Sequence, residues 1–289
     1  MPKEAPSVTR LLSSLSALSS PNNGHPSRPV RAPLRIHFPP SSSSSSSSSP
    51  TIVSSPGTSL TKDAAALPPS YSISATALSN ITLPNCDLSP VSSHSSSSFS
   101  SSSNSQGATG ATTTSTSTTR RRGSEASNHL GQIPHYMVLC LDLDPPFPSF
   151  PVLAPILHSL EADLRLETEE LDADEGYVYL TADEEAGGYE GIKRHADMKK
   201  RTRPVVGYMG PNPPGVSAPH RYVFLCWEQP GGVDGRKVRE VLGLADDDDV
   251  DGEEYGEEVG MATRVRFDQE AFEKSLGLGE VLAGNYFVC

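Results

Sequence analysis

Cysteine and long apolar runs are scarce in this chain, and each scarcity excludes a class of protein. The four cysteines show no paired short spacing, which excludes a zinc ribbon and a disulfide framework. They are Cys86, Cys140, Cys226 and Cys289. No apolar run approaches the ~18 residues of a membrane span, and no glycine-rich phosphate loop of the nucleotide-binding type occurs. We therefore expect no transmembrane segment, no cofactor, no metal, and buried thiols in a cytoplasmic chain.

Charge is divided unevenly along the chain. Residues 1–130 are rich in serine, threonine and proline, and they carry nine basic and four acidic residues, whereas the remainder carries 14 basic and 31 acidic ones. The first composition cannot bury enough apolar surface to offset the entropy of ordering it. The acidic second part argues against nucleic acid as a partner, because contacts to phosphates need a basic surface.

Two apolar segments carry polar side chains at one end, beside prolines. Residues 136–146 run through an apolar stretch into Asp142, Asp144 and a pair of prolines. In residues 210–222 a proline-stiffened loop leads to His220 and Tyr222, at the start of another apolar stretch. Side chains two apart in a strand share one face, so His220 and Tyr222 are predicted to line one small polar pocket.

Together these segments resemble the phosphatidylethanolamine-binding protein family, also called Raf kinase inhibitor proteins. The family's first motif, Asp-Pro-Asp-Ala-Pro, is matched by residues 142–146, with Leu143 and Pro145 as departures. Its second motif, Gly-x-Gly/Pro-x-Pro-Pro followed by His-Arg-Tyr, is matched by residues 210–222. Residues 228–230 and 283–287 are similar to the family's fungal members.

The resemblance implies a pocket for phosphate-like anions, including the phosphoethanolamine headgroup of a phospholipid. The implied ligand-binding residues are Asp142, His158, Pro213, Pro214, His220 and Tyr222, the two prolines forming the rim. Imidazole and phenol groups can bond phosphate oxygens, and a nearby carboxylate can raise a histidine pKa or receive the ammonium of the ligand. Structural roles are implied for Asp144, Pro146, Gly210 and Arg221, with a candidate cis peptide at Pro145–Pro146.

Other interpretations of the same residues remain open at this stage. His220 could cap a strand, Tyr222 could be a core aromatic, and two histidines with one aspartate could form an open metal triad. No Gly-x-Ser-x-Gly nucleophile motif accompanies them, which favours binding over catalysis. A second class of function is an inhibitor of a serine carboxypeptidase of the carboxypeptidase Y type, or of a signalling kinase. A third is a structural role in an assembly such as a mitochondrial ribosome.

The segment Arg120 to Ser124 indicates a separate candidate site. Its Arg-Arg-x-Ser pattern suits a basophilic kinase, and a phosphate on Ser124 would reverse the local charge. The alternative is a solubilising basic patch.

The resemblance predicts a mostly β fold: a central antiparallel sheet packed on a smaller sheet, with one or two C-terminal helices, in a monomer. We predict strands at 34–38, 69–74, 135–142, 205–209, 221–228 and 282–288, and a helix within 267–279 capped by Asp268 and ended by Gly277. Residues 1–29 are predicted to be a disordered tail and 30–289 one domain, with low-complexity insertions at 41–49 and 92–128 and charged insertions at 165–203 and 244–260. The alternative is that all of residues 1–130 are disordered.

Overall fold

The fold is known from a computed structural model, which describes residues 4–18, 32–40, 49–75, 78, 133–172, 176–182, 204–244 and 259–289. All of these residues belong to one compact unit. Its helices are α1 (Pro6–Leu18), α2 (Gly235–Val241), α3 (Met261–Arg264) and α4 (Gln269–Leu276). Its strands are β1 (Ala32–Pro33), β2 (Arg35–Phe38), β3 (Thr51–Val53), β4 (Thr58–Ser59), β5 (Ser70–Ser74), β6 (Tyr136–Asp142), β7 (Ile156–Asp172), β8 (Tyr177–Ala182), β9 (Arg221–Glu228) and β10 (Ala283–Val288).

The strands join in the order β1-β10-β9-β6-β7-β8-β5-β2-β3, with β4 also paired to β10. The two pairs that β1 and β4 form with β10 are parallel, and the other pairs are antiparallel. The predicted mostly β class with C-terminal helices is confirmed. Strand β7 is 17 residues long and connects the central part, around β6 and β9, to the smaller part formed by β8, β5, β2 and β3.

Alternate residues of β6 and β9 contribute to two apolar clusters, because every residue of β6 is buried. The helix-side cluster contains Met137, Leu139, Val223 and Leu225 together with residues of α1, α2 and α4. The strand-side cluster contains Val138, Cys140, Phe224 and Cys226 together with residues of β2, β5 and β8. A strand covered on both faces has a continuous apolar sequence, which is why residues 136–142 and 221–228 were recognisable as strands. The predicted burial of Cys140 and Cys226 is confirmed.

The N-terminal helix was not predicted, and the expectation of a disordered tail is wrong for Pro6–Leu18. Val8, Leu11 and Leu15 lie one or two helical turns apart, and each is at most 1% exposed in the helix-side cluster. The helix approaches β10 at Gly284, where a Cβ would meet the Leu11 side chain and, at 2.8 Å, the Phe224 carbonyl oxygen. A glycine at this position therefore permits the close packing of α1.

The charged region 165–203 also differs from the prediction in its first part. The strand β7 continues to Asp172, and β8 returns antiparallel to it, with Leu166 opposite Leu180. These residues form a hairpin of the sheet rather than an exposed insertion, because apolar side chains alternate with the charged ones. Leu164 and Leu180 are buried in the strand-side cluster.

Several other expectations can be compared with the described residues. Short strands at 35–38 and 70–74 confirm that part of the first 130 residues is folded, and residues 205–209 form only an isolated bridge through Val206. Of the insertions predicted at 41–49, 92–128, 165–203 and 244–260, residues 41–48, 92–128, 183–203 and 245–258 lie outside the described residues. The helix α4 has the predicted cap, since Asp268 accepts from the Ala271 N–H, and it ends at the left-handed Gly277.

Candidate functional site

Three adjacent strands place the predicted pocket residues at one end of the central sheet. Asp142 is the last residue of β6 and lies opposite Tyr222 on β9 and Ile156 on β7. His158 follows two residues later on β7, and His220 immediately precedes β9. Strand pairing thus brings together residues that are up to 80 positions apart in the chain.

His220 is held by acceptors on both of its ring nitrogens. Its Nδ1 lies 2.8 Å from Asp142 Oδ2, and its Nε2 lies 3.1 Å from the Pro146 carbonyl oxygen and 3.0 Å from Ser217 Oγ. A carbonyl oxygen can only accept, so Nε2 carries a proton, and the carboxylate favours a proton on Nδ1 as well. Burial lowers the pKa of His220, but the hydrogen bond to Asp142 and its negative charge outweigh this and raise the pKa.

A Ser-His-Asp arrangement of the kind found in serine hydrolases occurs here, formed by Ser217, His220 and Asp142. Its hydrogen bonds, however, do not suit nucleophilic catalysis. The Ser217 hydroxyl donates to the Ala218 carbonyl oxygen at 2.8 Å instead of to the imidazole. A general base needs a free lone pair on Nε2, whereas here that nitrogen donates to Pro146. The arrangement therefore clamps the 213–219 loop against the strand ends.

His158 and Tyr222 form the other half of the site. The His158 ring lies edge-on to the Tyr222 ring, with centroids 5.1 Å apart, and the Tyr222 and His220 rings are stacked at 6.4 Å. The Nδ1 of His158 donates to the Met209 carbonyl oxygen at 2.6 Å. Burial lowers the pKa of His158, which therefore is a neutral imidazole at neutral pH.

Tyr222 is 1% exposed, yet its hydroxyl makes no hydrogen bond of ordinary geometry with the described residues. Burial and the nearby charge of Asp142 raise the pKa of Tyr222. The phenol is therefore un-ionised and able to donate. Most buried polar side-chain atoms have a partner, so this hydroxyl, like Ser159 Oγ and Trp227 Nε1, is an exception. Its position between the His158 and His220 rings is what makes a ligand a suitable explanation for it.

The second aspartate of the first motif is paired with Arg221. Asp144 is buried and accepts from the Arg221 backbone N–H at 2.8 Å, from Nε at 2.9 Å and from Nη2 at 2.7 Å. The Asp144 N–H donates to Asp142 Oδ1 at 2.9 Å, which orients the first aspartate. The expected cis peptide at Pro145–Pro146 is present, and a second one occurs at Ala154–Pro155.

The proline-rich loop is attached to the segment before β5. Gly210 lies against Ala66, since a Cβ at Gly210 would meet the Ala66 carbonyl oxygen at 3.2 Å. Lys62 donates to the Pro213 carbonyl oxygen at 2.7 Å and to Asn212 Oδ1 at 3.1 Å. Pro213 is buried and Pro214 is exposed, and their place at the rim of a pocket stays a prediction.

Sequence reasoning missed three contributors to this site: Lys62, Ser217 and Met209. Ser217 stands inside the second motif, so its position in the sequence could have indicated it. Lys62 comes from a distant segment, and Met209 contributes through its backbone carbonyl; no motif indicates either contribution. The described residues contain no group of three or more His, Cys, Asp or Glu side chains that could hold a metal ion.

A separate open groove of about 490 Å³ is lined by Phe150, Val152, Pro155, Arg266 and Asp268, among others. It includes none of the pocket residues predicted from the motifs. We assign it no role, because nothing in the structure indicates what covers it.

A profile described as phosphatidylethanolamine-binding protein matches residues 93–287, which is more than half of the chain. The chain therefore belongs to the phosphatidylethanolamine-binding protein family, as its motifs predicted.

Individual relatives are more distant. Carboxypeptidase Y inhibitor from Saccharomyces cerevisiae is 36% identical over 84 residues, which cover 29% of this chain and 33% of the inhibitor. The alignment thus spans a third of that relative's length. Two solved structures are similar at low identity. The crystal structure of carboxypeptidase Y inhibitor complexed with the cognate proteinase is 16% identical with a TM-score of 0.46, covering 97% of this chain and 94% of that one. The phosphatidylethanolamine-binding protein from Plasmodium vivax is 12% identical with a TM-score of 0.42, covering 96% and 95%.

Among the residues that the structure describes, no helix is long and apolar enough to cross a membrane.

Proposed function

We propose that this chain is a binding protein rather than an enzyme, and that it holds a phosphate-like anion, such as a phospholipid headgroup, among Asp142, His158, His220 and Tyr222. The observation that carries the proposal is the Tyr222 hydroxyl, a buried donor that lies near the Asp142 carboxylate but forms no hydrogen bond of good geometry in the described part of the chain. A phosphate oxygen next to this hydroxyl would remove the cost of leaving it unsatisfied.

The charges around the hydroxyl support an anionic ligand. The His220 imidazolium offsets the charge of Asp142, so the pair does not repel an approaching oxyanion. Both Asp142 oxygens already accept, Oδ1 from the Asp144 N–H and Oδ2 from His220. We therefore assign Asp142 to holding His220, in preference to the alternative that it receives the ammonium of the ligand.

The Tyr222→Phe variant tests the proposal, because it deletes only the unpartnered oxygen. We expect its affinity for O-phosphoethanolamine, measured by titration calorimetry, to fall about tenfold, while the free energy of unfolding stays the same or rises slightly. Tyr71→Phe is the matched control, because the Tyr71 hydroxyl lies outside the pocket and already donates a hydrogen bond of 2.9 Å to Glu161 Oε1. That variant should lose stability and keep its affinity. Unchanged binding by Tyr222→Phe would contradict the proposal.

A second candidate function is inhibition of a serine carboxypeptidase, which is favoured by the similarity to the yeast carboxypeptidase Y inhibitor. Titrating the full chain into carboxypeptidase Y with a chromogenic peptide should then give stoichiometric loss of peptidase activity. If the low-complexity insertion carries the contact, deleting residues 92–128 should abolish inhibition and spare anion binding. Full peptidase activity at saturating chain would exclude this function for that enzyme.

Ser124 lies outside the described residues, and its phosphorylation remains a prediction. Treating the chain with a basophilic kinase and mapping the product by mass spectrometry tests it, and an unmodified Ser124 would contradict it. The kinase-inhibitor alternative, the cytoplasmic location and the monomeric state are likewise predictions.

A further inference from the structure

Arg264 is a buried cation directly behind the pocket, and none of the motifs includes it. It ends α3, is 5% exposed, and donates to four backbone carbonyl oxygens. These are Val259 O at 2.9 Å from Nε, Leu157 O at 3.2 Å and His158 O at 3.1 Å from Nη1, and Gly207 O at 3.0 Å from Nη2. Such a set of bonds uses the planar fork of a guanidinium, which a lysine cannot reproduce.

Three of the four carbonyls, those of Leu157, His158 and Gly207, belong to the segments that orient the His158 ring. His158 O also accepts from the Met209 N–H at 2.9 Å, and Met209 O accepts from His158 Nδ1 at 2.6 Å. Arg264 therefore joins β7 at His158 to the 205–209 segment from behind. This arrangement places the imidazole proton on Nδ1, since the Met209 carbonyl can only accept.

The opposite ring nitrogen, Nε2, then carries a lone pair and has no hydrogen-bond partner among the described residues. The charged and titratable groups around the ring are Asp142 at the end of β6, His220 and Tyr222 at the start of β9, and Arg264 from α3. Burial lowers the pKa of His158 most, the charges of Arg264 and His220 lower it further, and the Met209 carbonyl and Asp142 act in the opposite direction.

We propose that Arg264 is a positioning residue that keeps His158 neutral with its proton on Nδ1, so that a phosphate-like ligand is bound together with one additional proton. This inference rests on the proposed function. A phosphate dianion presents only lone pairs, which would face the lone pair of Nε2 and repel it. One proton taken from solvent and shared between Nε2 and a ligand oxygen turns this contact into a charge-assisted hydrogen bond. No covalent bond changes.

The first experiment uses the unmodified full chain and two probes, inorganic phosphate and O-phosphoethanolamine. Titration calorimetry at pH 7.5 in two buffers of different ionisation enthalpy counts the protons exchanged on binding. At this pH O-phosphoethanolamine is mostly a dianion, because the second pKa of a phosphate monoester is about 6. We expect uptake of about one proton per O-phosphoethanolamine and less for inorganic phosphate, which is partly monoanionic at this pH, and an affinity for O-phosphoethanolamine that falls as the pH rises above 7.5. Binding without proton uptake would overturn the inference while leaving the proposed function intact.

The second experiment needs no ligand. In ¹⁵N-labelled full chain, the ring nitrogens of His158 should show the neutral form with the proton on Nδ1. In Arg264→Met the pKa of His158 should rise, and the affinity for both probes should fall about tenfold. Arg264→Lys keeps the positive charge, so the pKa of His158 should stay nearly as low as in the unmodified chain. The His158 ring should nevertheless become less ordered, because a lysine cannot bond the same carbonyls. Arg266→Met is the matched control, because Arg266 is exposed and its Nε donates to Val152 O.

The outcomes distinguish a failure of the role of Arg264 from a failure of anion binding. If Arg264 were only a structural residue, Arg264→Met would lower the free energy of unfolding without moving the His158 titration, and the inference would be wrong. If Arg264→Met does not fold, a proton on Nε2 instead of Nδ1 in the unmodified chain would overturn it equally. If the unmodified chain binds neither probe, the proposed function and the proton uptake fall together, and the His158 titration in Arg264→Met still decides whether Arg264 positions the ring.

Discussion

The strands β6 and β9 pass through two regions that are buried to the same degree by different means. Along most of their length, Met137, Leu139, Val223 and Leu225 pack against helices in the helix-side cluster. At one end the same strands bury Asp142, His220 and, nearby, Asp144. Burial of apolar side chains is favourable in itself, whereas burial of polar and charged groups is tolerated only when they are hydrogen-bonded.

The difference shows where this chain can accept a ligand. The helix-side cluster is packed with apolar side chains, including those of α1, although Trp227 Nε1 is buried there without a hydrogen-bond partner among the described residues. At the pocket end most polar atoms are paired, but the Tyr222 hydroxyl and His158 Nε2 are not. We therefore expect a ligand at the pocket end, where two unpaired polar atoms belong to rings in contact, and stability from the packed cluster.

The largest effect that sharpens this comparison is expected from Leu11→Ala in α1. Removing a fully buried Leu side chain beside Gly284 should lower the free energy of unfolding by about 3 kcal/mol, because the cavity cannot collapse against the sheet. Urea denaturation measures it, and phosphate affinity should not change. Ser13→Ala is the control, since the Ser13 hydroxyl bonds only to the Thr9 carbonyl on the exposed side of α1. Equal stability of the two variants would show that α1 does not pack as described.

A somewhat smaller loss is expected at the pocket end from Asp144→Asn. The variant keeps the shape of the side chain but removes the charge that accepts from Arg221 at 2.7, 2.8 and 2.9 Å. We expect about 2 kcal/mol, less than for a fully buried ion pair, because the Arg221 side chain is 37% exposed. Thermal unfolding compares it with Asp268→Asn, which changes only a helix cap. A loss no greater than that control would mean that the ion pair does not organise the strand ends.

The smallest effect is a pH dependence with two opposite limbs. His220 has a pKa raised above 6.5, so its contribution to stability is complete below pH 6.5 and is lost as the pH rises through the raised pKa. His158 has a lowered pKa, so the unfolded chain takes up a proton first, and its contribution is lost as the pH falls from 6.5 through the lowered pKa. Urea denaturation between pH 5 and 8.5 should show His158→Gln removing the acid limb and His220→Asn removing the alkaline limb. Identical slopes in all three proteins would contradict both assignments.

Local signals carried much of the fold. The prolines before His220 and the apolar run after it mark the start of β9 at Arg221, and Asp268 and Gly277 mark the ends of α4. The helix α1 escaped prediction because its apolar positions are separated by serines. Only the groove at Gly284 makes a short amphipathic helix stable there. The strand β8 was missed because its six uncharged residues lie between two acidic stretches of the chain.

The sequence by itself determined that a carboxylate, two imidazoles and a phenol stand at the ends of strands that pair, because motif spacing and the two-residue period of a strand are local properties. Only the tertiary structure decided which of these groups keep a hydrogen-bond donor or acceptor without a partner. Protonation of His220 depends on Asp142 and the Pro146 carbonyl, and neutrality of His158 depends on its burial and on the nearby charge of Arg264, which come from other segments of the chain. Hydrogen-bond partners and desolvation are set by distances in space, which no spacing along the chain encodes.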